Sequence, residues 1–182
     1  MRKLLSITLL GVLLLTACAT GEDLQGRLGT SSTVMTMSLS SESPSGARTV
    51  SSVDEFIVFD VEFNRRTTLP TGTRFRVDIR AESTGLGGAF DPTVSGKVIT
   101  LKQDGTAIGT GTFSIIDTDL PSEGTAYITT TSAIAFTKGD AKTFTLVGNT
   151  SNLLAEQTGV DDTLDVIVEY NGQQVTGNTL VY

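Results

Sequence analysis

The sequence predicts an all-β domain of the antiparallel β-sandwich class. Three observations favour this class: apolar residues recur with a period of two, short apolar segments follow one another roughly every eight to twelve residues, and turn sequences with Gly, Pro, Asn or Asp separate them. No stretch after the N-terminal apolar segment keeps a helical period. This combination is typical of strands that bury one face and expose the other in a sandwich.

The strands predicted in the first half each have one apolar and one polar face. Residues 35–39 alternate Met, Met and Leu with hydroxyl residues, and the sequence 42–46 then has turn chemistry. The alternation is stronger at 57–63 and again at 75–81, where Phe, Val, Ile and Ala alternate with arginines and an aspartate. We therefore expect these segments to cover one side of the core.

The second half repeats the pattern. A glycine-rich surface loop is predicted at 82–96, and a strand at 97–103 leads into Asp104-Gly105, a strong hairpin signal. Gly109 and Gly111 indicate a bulge or bend. Further strands are predicted around Phe113 and Ile115, at Tyr127, at Ile134 and Phe136, at Phe144 and Leu146, at 164–170 and at 179–182, with turns at 137–140 and 171–172.

The N-terminus carries an export signal. Arg2 and Lys3 precede a hydrophobic run from Leu4 to Leu15, which is followed by small residues and a cysteine. A transmembrane helix needs about 18 to 20 apolar residues, so this run is too short to predict one.

The tetrapeptide Leu15-Thr16-Ala17-Cys18 resembles the lipobox of bacterial lipoproteins. The resemblance implies cleavage between Ala17 and Cys18, a lipid (palmitate-type acylation) on Cys18, and a cell-envelope location, at the outer membrane or the cell surface. The predicted organisation is then a signal peptide at 1–17, a lipidated cysteine and flexible tether at 18–33, and one domain at 34–182. Ordinary signal cleavage after Ala19, which would remove the cysteine and release the protein, is the alternative.

Composition limits the chemistry that the domain can perform. The 182 residues carry a net charge of −7, which becomes −9 when Arg2 and Lys3 are removed, and this disfavours nucleic acid as a partner. A single cysteine excludes an internal disulfide, and the lack of histidine excludes a Ser-His or Cys-His pair and a histidine metal ligand; the lack of tryptophan disfavours a carbohydrate platform. We expect no catalysis and no cofactor apart from the lipid. The three tyrosines are expected to be shared with the core, which disfavours a carbohydrate platform.

Arg74, Arg76 and Arg80 form a stripe on the polar face of the strand at 75–81. They are a candidate binding surface for an acidic ligand or a glycan. The favoured interpretation is structural: pairing with Asp60 and Glu62 of the preceding strand, or with other acids on the same sheet face.

Acidic residues also cluster in two predicted loops. Asp117, Asp119 and Glu123 lie in the segment 117–124, and Asp161 and Asp162 lie in a second segment. Carboxylates converging from two loops could hold Ca²⁺, but the spacing does not follow the twelve-residue calcium loop. A solvated acidic surface is the favoured interpretation.

The order of elements is similar to the immunoglobulin-like modules of bacterial cell-surface proteins. The pattern that carries the resemblance comprises a first strand broken by Ser and Pro, a dense apolar strand, a central Asp-Gly hairpin, Lys138-Gly139-Asp140 before Phe144-Thr145-Leu146, and Thr176-Gly177-Asn178 near the end. It implies a structural, adhesive or protein-binding role on a surface protein or polymer. The first alternative is a self-assembling, pilin-like or surface-layer subunit that donates the strand 35–39 or 179–182; the second is a calcium-dependent binding module.

Overall fold

A computed structural model describes residues 33–81, 98–117, 122–151 and 163–182, with the side chains of 115–117 and 122 excepted. The predicted leader, the lipobox, the tether up to residue 32 and the loop 82–96 lie outside the described residues. Val34–Tyr182 forms one compact unit. The described part contains no helix long and apolar enough to cross a bilayer.

The described residues form strands joined by turns. The strands are β1 (Met35–Leu39), β2 (Gly46–Ala47), β3 (Asp54–Phe63), β4 (Thr67–Leu69), β5 (Arg74–Ala81), β6 (Val98–Gln103), β7 (Thr106–Asp117), β8 (Ser122–Thr130), β9 (Ile134–Phe136), β10 (Lys142–Gly148), β11 (Thr163–Tyr170), β12 (Gln173–Thr176) and β13 (Leu180–Val181).

Within the described chain, eleven strands belong to one hydrogen-bonded sheet in the order β1-β3-β10-β6-β7-β8-β5-β11-β13-β2, with β12 paired to β11. The long strand β7 pairs with both β6 and β8, so it joins the β3 half of the sheet to the β5 half. The sheet is curled, and β1 lies beside β12. The predicted all-β class is confirmed, and the two layers of the fold are halves of one sheet.

The core lies between the two halves. The Phe75 ring on β5 lies 6.3 Å from the Phe144 ring on β10, which stacks on Phe59 of β3 at 5.6 Å. All three side chains are fully buried. These rings fix the packing of one half on the other, because buried aromatic side chains contribute the largest apolar areas to a core.

Two predicted hairpins are present as the sequence indicates. Asp104 and Gly105 have φ values of 50° and 77°, and Asn171 and Gly172 have values of 50° and 74°. Positive φ at both central residues is the requirement of the two-residue turn that suits twisted strands. The β6–β7 and β11–β12 pairs are therefore set by local chemistry.

Bulges interrupt two of the strands. Leu101 pairs with Gly109 but Lys102 pairs with Ala107, so Ile108 is the additional residue and the bend predicted near Gly109 is confirmed. In β3, Phe56 is the additional residue opposite β10, since Leu146 pairs with Ile57 and Val147 with Glu55. This shift buries Phe56 and Ile57 together and turns Asp54 inward, which the sequence did not predict.

Candidate functional site

Strand β5 lies in the middle of its layer, between β8 and β11. Its apolar face is buried, as the alternation predicts, and its polar face carries the arginine stripe. The strand register places Arg80 between Glu123 of β8 and Asp165 of β11. The same register places Arg76 between Tyr127 and Glu169. Arg80 thus has an acid on each side, and Arg76 has an acid on one side.

A groove of about 520 Å³ runs over this face, within the range of roughly 300–1,000 Å³ that is usual for ligand sites. We call it the β5 groove. Its lining includes Arg76, Asp78, Arg80, Glu123, Thr125, Asp165, Thr176 and Thr179. Strands β5, β8, β11 and β12 and the segment before β13 all contribute, so the groove exists only when distant parts of the chain have assembled.

Hydrogen bonds orient the acidic groups of the β5 groove. The carboxylate of Asp78 accepts a bond from the Thr125 hydroxyl at 2.6 Å and pairs with the Arg76 Nε at 3.0 Å. The Thr179 hydroxyl donates to Asp165 at 2.6 Å. These contacts orient the side chains of Asp78, Arg76 and Asp165.

Arg76 keeps its charge in this setting. Its hydrogen bond to Asp78 raises the pKa of the guanidinium, with Glu169 at 3.9 Å as a further favourable charge. The side chain is 45% exposed, so the pairing contributes little to folding stability. It does determine where the remaining N–H groups of Arg76 point.

Tyr127 extends the polar face beyond the groove. Its side chain is 50% exposed, and the Arg74 Cζ lies 4.4 Å from the centroid of its ring. Arg74, Arg76, Tyr127, Glu169 and Tyr170 are among the residues that line an adjoining hollow. The expectation that all three tyrosines are shared with the core is therefore wrong for Tyr127. Its alternation with buried Ala126 and Ile128 was the sequence signal for exposure.

The other two tyrosines do belong to the interior. Tyr170 is partly buried and its ring lies 4.9 Å from that of Phe75, and Tyr182 is buried. Only Tyr127, among the described aromatic side chains, is mostly at the surface.

The predicted partners of the arginine stripe are only partly those observed. Asp60 and Glu62 lie on β3, in the other half of the sheet, where Asp60 accepts a hydrogen bond from Thr143 at 2.6 Å. The acids paired with Arg76 are Asp78 and Glu169, on the same face. Arg76 therefore pairs with acids on its own sheet face, as one of the two predicted alternatives states. The other alternative, pairing with acids of β3, is wrong.

Most of the carboxylates of the predicted calcium site lie outside the described part of the chain. Asp119, Asp161 and Asp162 lie outside the described residues, and of Asp117 only the backbone is described. Glu123 lies within β8 rather than in a loop. Within the described ranges, no group of three or more potential metal ligands lies close together. A rise in the melting temperature with Ca²⁺ that a chelator reverses would support the hypothesis.

A buried polar cluster, which the sequence analysis missed, lies where β3 begins. Asp54 is 4% exposed and accepts hydrogen bonds from Arg48 at 2.5 Å, the Tyr182 hydroxyl at 2.6 Å and the Thr150 hydroxyl at 3.3 Å. We call these four residues the Asp54 cluster. Burial, followed by the bond to Asp54, raises the pKa of Tyr182 far above its usual value. The bond to Asp54 also raises the pKa of Arg48.

The strands proposed for donation are paired within the chain. β1 pairs with β3 along five residues, and β13 pairs with β11 and β2. Among the described strands, β1 has one hydrogen-bonded partner and so retains one unpaired edge, beside β12.

The comparisons with known proteins gave a likeness of structure. No family model matches the sequence, and no curated protein matches it. The full-length major pilin RrgB from Streptococcus pneumoniae matches with 12% identity and a TM-score of 0.33, over 77% of this chain and 23% of the pilin. The chain thus spans less than a quarter of that protein.

A second solved structure is also similar. ACE19, the collagen binding subdomain of the Enterococcus faecalis surface protein ACE, matches with 7% identity and a TM-score of 0.24, over 82% of this chain and 96% of the subdomain. The chain is therefore similar in structure to part of each of these two proteins. The lipobox at Cys18 stays a prediction.

Proposed function

We propose that this protein is a non-catalytic binding module of the bacterial cell envelope, anchored by lipid on Cys18, whose β5 groove holds a surface polymer or an envelope protein. The observation that carries the proposal is the β5 groove itself. It is concave, it is assembled from several strands, and it presents oriented charges and hydroxyls to the surface.

The N-terminal segment supports the proposed location. A basic start, a short apolar run and the sequence Leu15-Thr16-Ala17-Cys18 are the pattern of an exported and acylated protein. Several acyl chains, at about 0.8 kcal/mol for each buried methylene, would make such an anchor permanent. Palmitate labelling of the wild-type protein but not of Cys18→Ser tests this part of the proposal.

The absence of catalysis is supported by the arrangement of charges in the β5 groove. A glycosidase needs two carboxylates on either side of an open position, one of them protonated. Here Arg80 occupies the register position between Glu123 and Asp165. The position between these two carboxylates is therefore taken by a residue of the protein, so the pair lacks the open position that a glycosidase needs.

The binding role can be tested by capture of envelope partners. The native acylated protein would be isolated with its membrane neighbours and compared with the double variant Arg80→Gln, Asp165→Asn. The matched control is Arg65→Gln, Asp104→Asn, which removes the same charges from exposed turns outside the β5 groove. We expect the groove variant to lose the captured material and the control to keep it. Equal capture by all three proteins would contradict a role for the groove.

Self-assembly is the alternative function, and the unpaired edge of β1 is the observation that favours it. A strand from a second copy would extend the sheet there by taking the place of β12, which lies beside that edge. Light scattering at high protein concentration distinguishes the two functions: ladders or filaments support assembly, and a clean monomer supports the binding module.

A further inference from the structure

We infer that the ligand of the β5 groove is a neutral polysaccharide and that Tyr127 is a stacking platform at one end of the binding track. This inference depends on the proposed function of the groove and adds the chemical class of its ligand.

The balance of charge along the track disfavours a charged polymer. Three arginines, at positions 74, 76 and 80, face four carboxylates, at positions 78, 123, 165 and 169, which leaves one negative charge. An anionic polymer would have to approach Glu123 and Asp165 on both sides of Arg80. A cationic polymer would meet the arginines of the central strand. A ligand without net charge avoids both like-charge contacts.

The polar groups of the groove suit hydroxyl groups. The Thr176 hydroxyl can donate and accept, and the Thr179 hydroxyl, which donates to Asp165, can still accept. Asp78 accepts two hydrogen bonds from protein groups, out of about four that a carboxylate can accept. Arg76 adds further donors, because about half of its side chain is exposed. Sugar hydroxyls donate and accept at the same positions, so they can replace the water bound to these groups.

Tyr127 supplies the apolar contact that a sugar ring needs. The carbon-bound hydrogens on one face of a pyranose carry partial positive charge, and the face of an aromatic ring carries partial negative charge. The Arg74 guanidinium lies over one face of the Tyr127 ring, so a sugar ring would stack on the opposite face. Half of the Tyr127 side chain is still open to a ligand.

The platform and the groove form one track, because Arg76 lines both. From Glu123 to Tyr127 along β8 the track is about 13 Å long, at 3.3 Å per residue. That length exceeds one sugar ring, so the site is suited to a chain of several sugars rather than to a monosaccharide.

The experiment uses the full-length acylated protein in detergent on an array of neutral, acidic and amino-sugar oligosaccharides. Affinity for the neutral oligosaccharides is then measured in solution. We expect binding to neutral oligosaccharides of several units, with an affinity nearly constant from about 0.05 to 0.5 M salt, because screening weakens only charge-dominated contacts. Binding restricted to acidic or amino sugars would overturn the inference, as would an array without any bound sugar.

Substitution at the platform provides the second readout. We expect Tyr127→Ala to weaken binding about tenfold, Tyr127→Phe to keep it, and Arg65→Gln to leave it unchanged, with melting temperatures showing that each variant is folded. Wild-type affinity in Tyr127→Ala would overturn the role of the platform. If groove substitutions abolish partner capture while no neutral sugar binds, the ligand class is wrong and the proposed function survives. If neither effect occurs, both fail.

Discussion

Removal of the Asp54 carboxylate should be one of the most costly single changes in the protein. In Asp54→Ala, the Tyr182 hydroxyl and the Arg48 guanidinium lose this acceptor, while the Thr150 hydroxyl loses one of two acceptors and keeps the Ser51 carbonyl. A buried hydroxyl without a partner costs about 1–3 kcal/mol, and a buried ion pair that loses one member costs about 3–5 kcal/mol. These costs overlap, because all three groups use one carboxylate.

The side chain of Arg48 is 29% exposed, so it can regain part of its hydration when Asp54 is lost. We therefore expect a loss of about 4 kcal/mol rather than the sum of the separate costs. At about 2–4 °C for each kcal/mol in a domain of this size, the melting temperature should fall by roughly 10 °C.

Urea unfolding of the full-length protein measures this loss, with an unchanged denaturant slope as the sign that the folded state is intact. Asp140→Ala is the matched control, because Asp140 is an exposed turn residue bonded to Thr137; its cost should stay within about 0.5 kcal/mol. Tyr182→Phe combined with Asp54→Ala should cost less than the two single changes added together, because both remove the same hydrogen bond. A loss below about 1 kcal/mol in Asp54→Ala, or strict additivity, would refute the reasoning.

Three further changes test the packing and the titration of the fold. Gly148→Ala would place a Cβ 2.5 Å from the buried Phe56 ring. We expect the free energy of unfolding, measured in urea, to fall by about 1–3 kcal/mol and the addition of Phe56→Leu to restore part of it. An unchanged free energy would contradict the contact. Phe144→Ala should cost about 3–5 kcal/mol, because the ring is fully buried against Phe59; a loss under about 1 kcal/mol would show that the core collapses around the vacancy. Tyr182 has its pKa raised above the usual value of 10.0, so the folded state retains a proton that the unfolded chain releases. The contribution of Tyr182 to the stability of the fold is complete below about pH 10 and is lost as the pH rises further. Between about pH 8 and 11 the melting temperature should fall less steeply for Tyr182→Phe than for the wild type. Equal slopes for the two proteins would contradict this.

Local sequence signals predicted the arginine stripe but not the groove in which it lies. Alternation on β5 is enough to expose Arg74, Arg76 and Arg80, since side chains of a strand point to opposite faces in turn. The flanking residues Glu123 and Asp165 come from β8 and β11, and no local rule states which strands will neighbour β5. We expected the arginines to pair with acids of the preceding long strand, β3. The order of strands in the sheet shows that this expectation is wrong.

The Asp54 cluster was beyond sequence reasoning for a related reason. Asp54 resembles a turn residue before an apolar strand, and a bulge at Phe56 is what turns it inward. Its partners Thr150 and Tyr182 are 96 and 128 residues away in the sequence. A buried acid is tolerated only where such partners meet it.

Local patterns of residues are sufficient for the all-β class, the two glycine-containing hairpins and the face that each long strand exposes, because these depend on residues within a few positions of one another. The tertiary structure alone decided which strands became neighbours, and with that the β5 groove, the exposed platform at Tyr127 and the polar cluster around Asp54. Strand order depends on how two apolar faces pack over the whole chain, and that packing is a property of distant residues acting together.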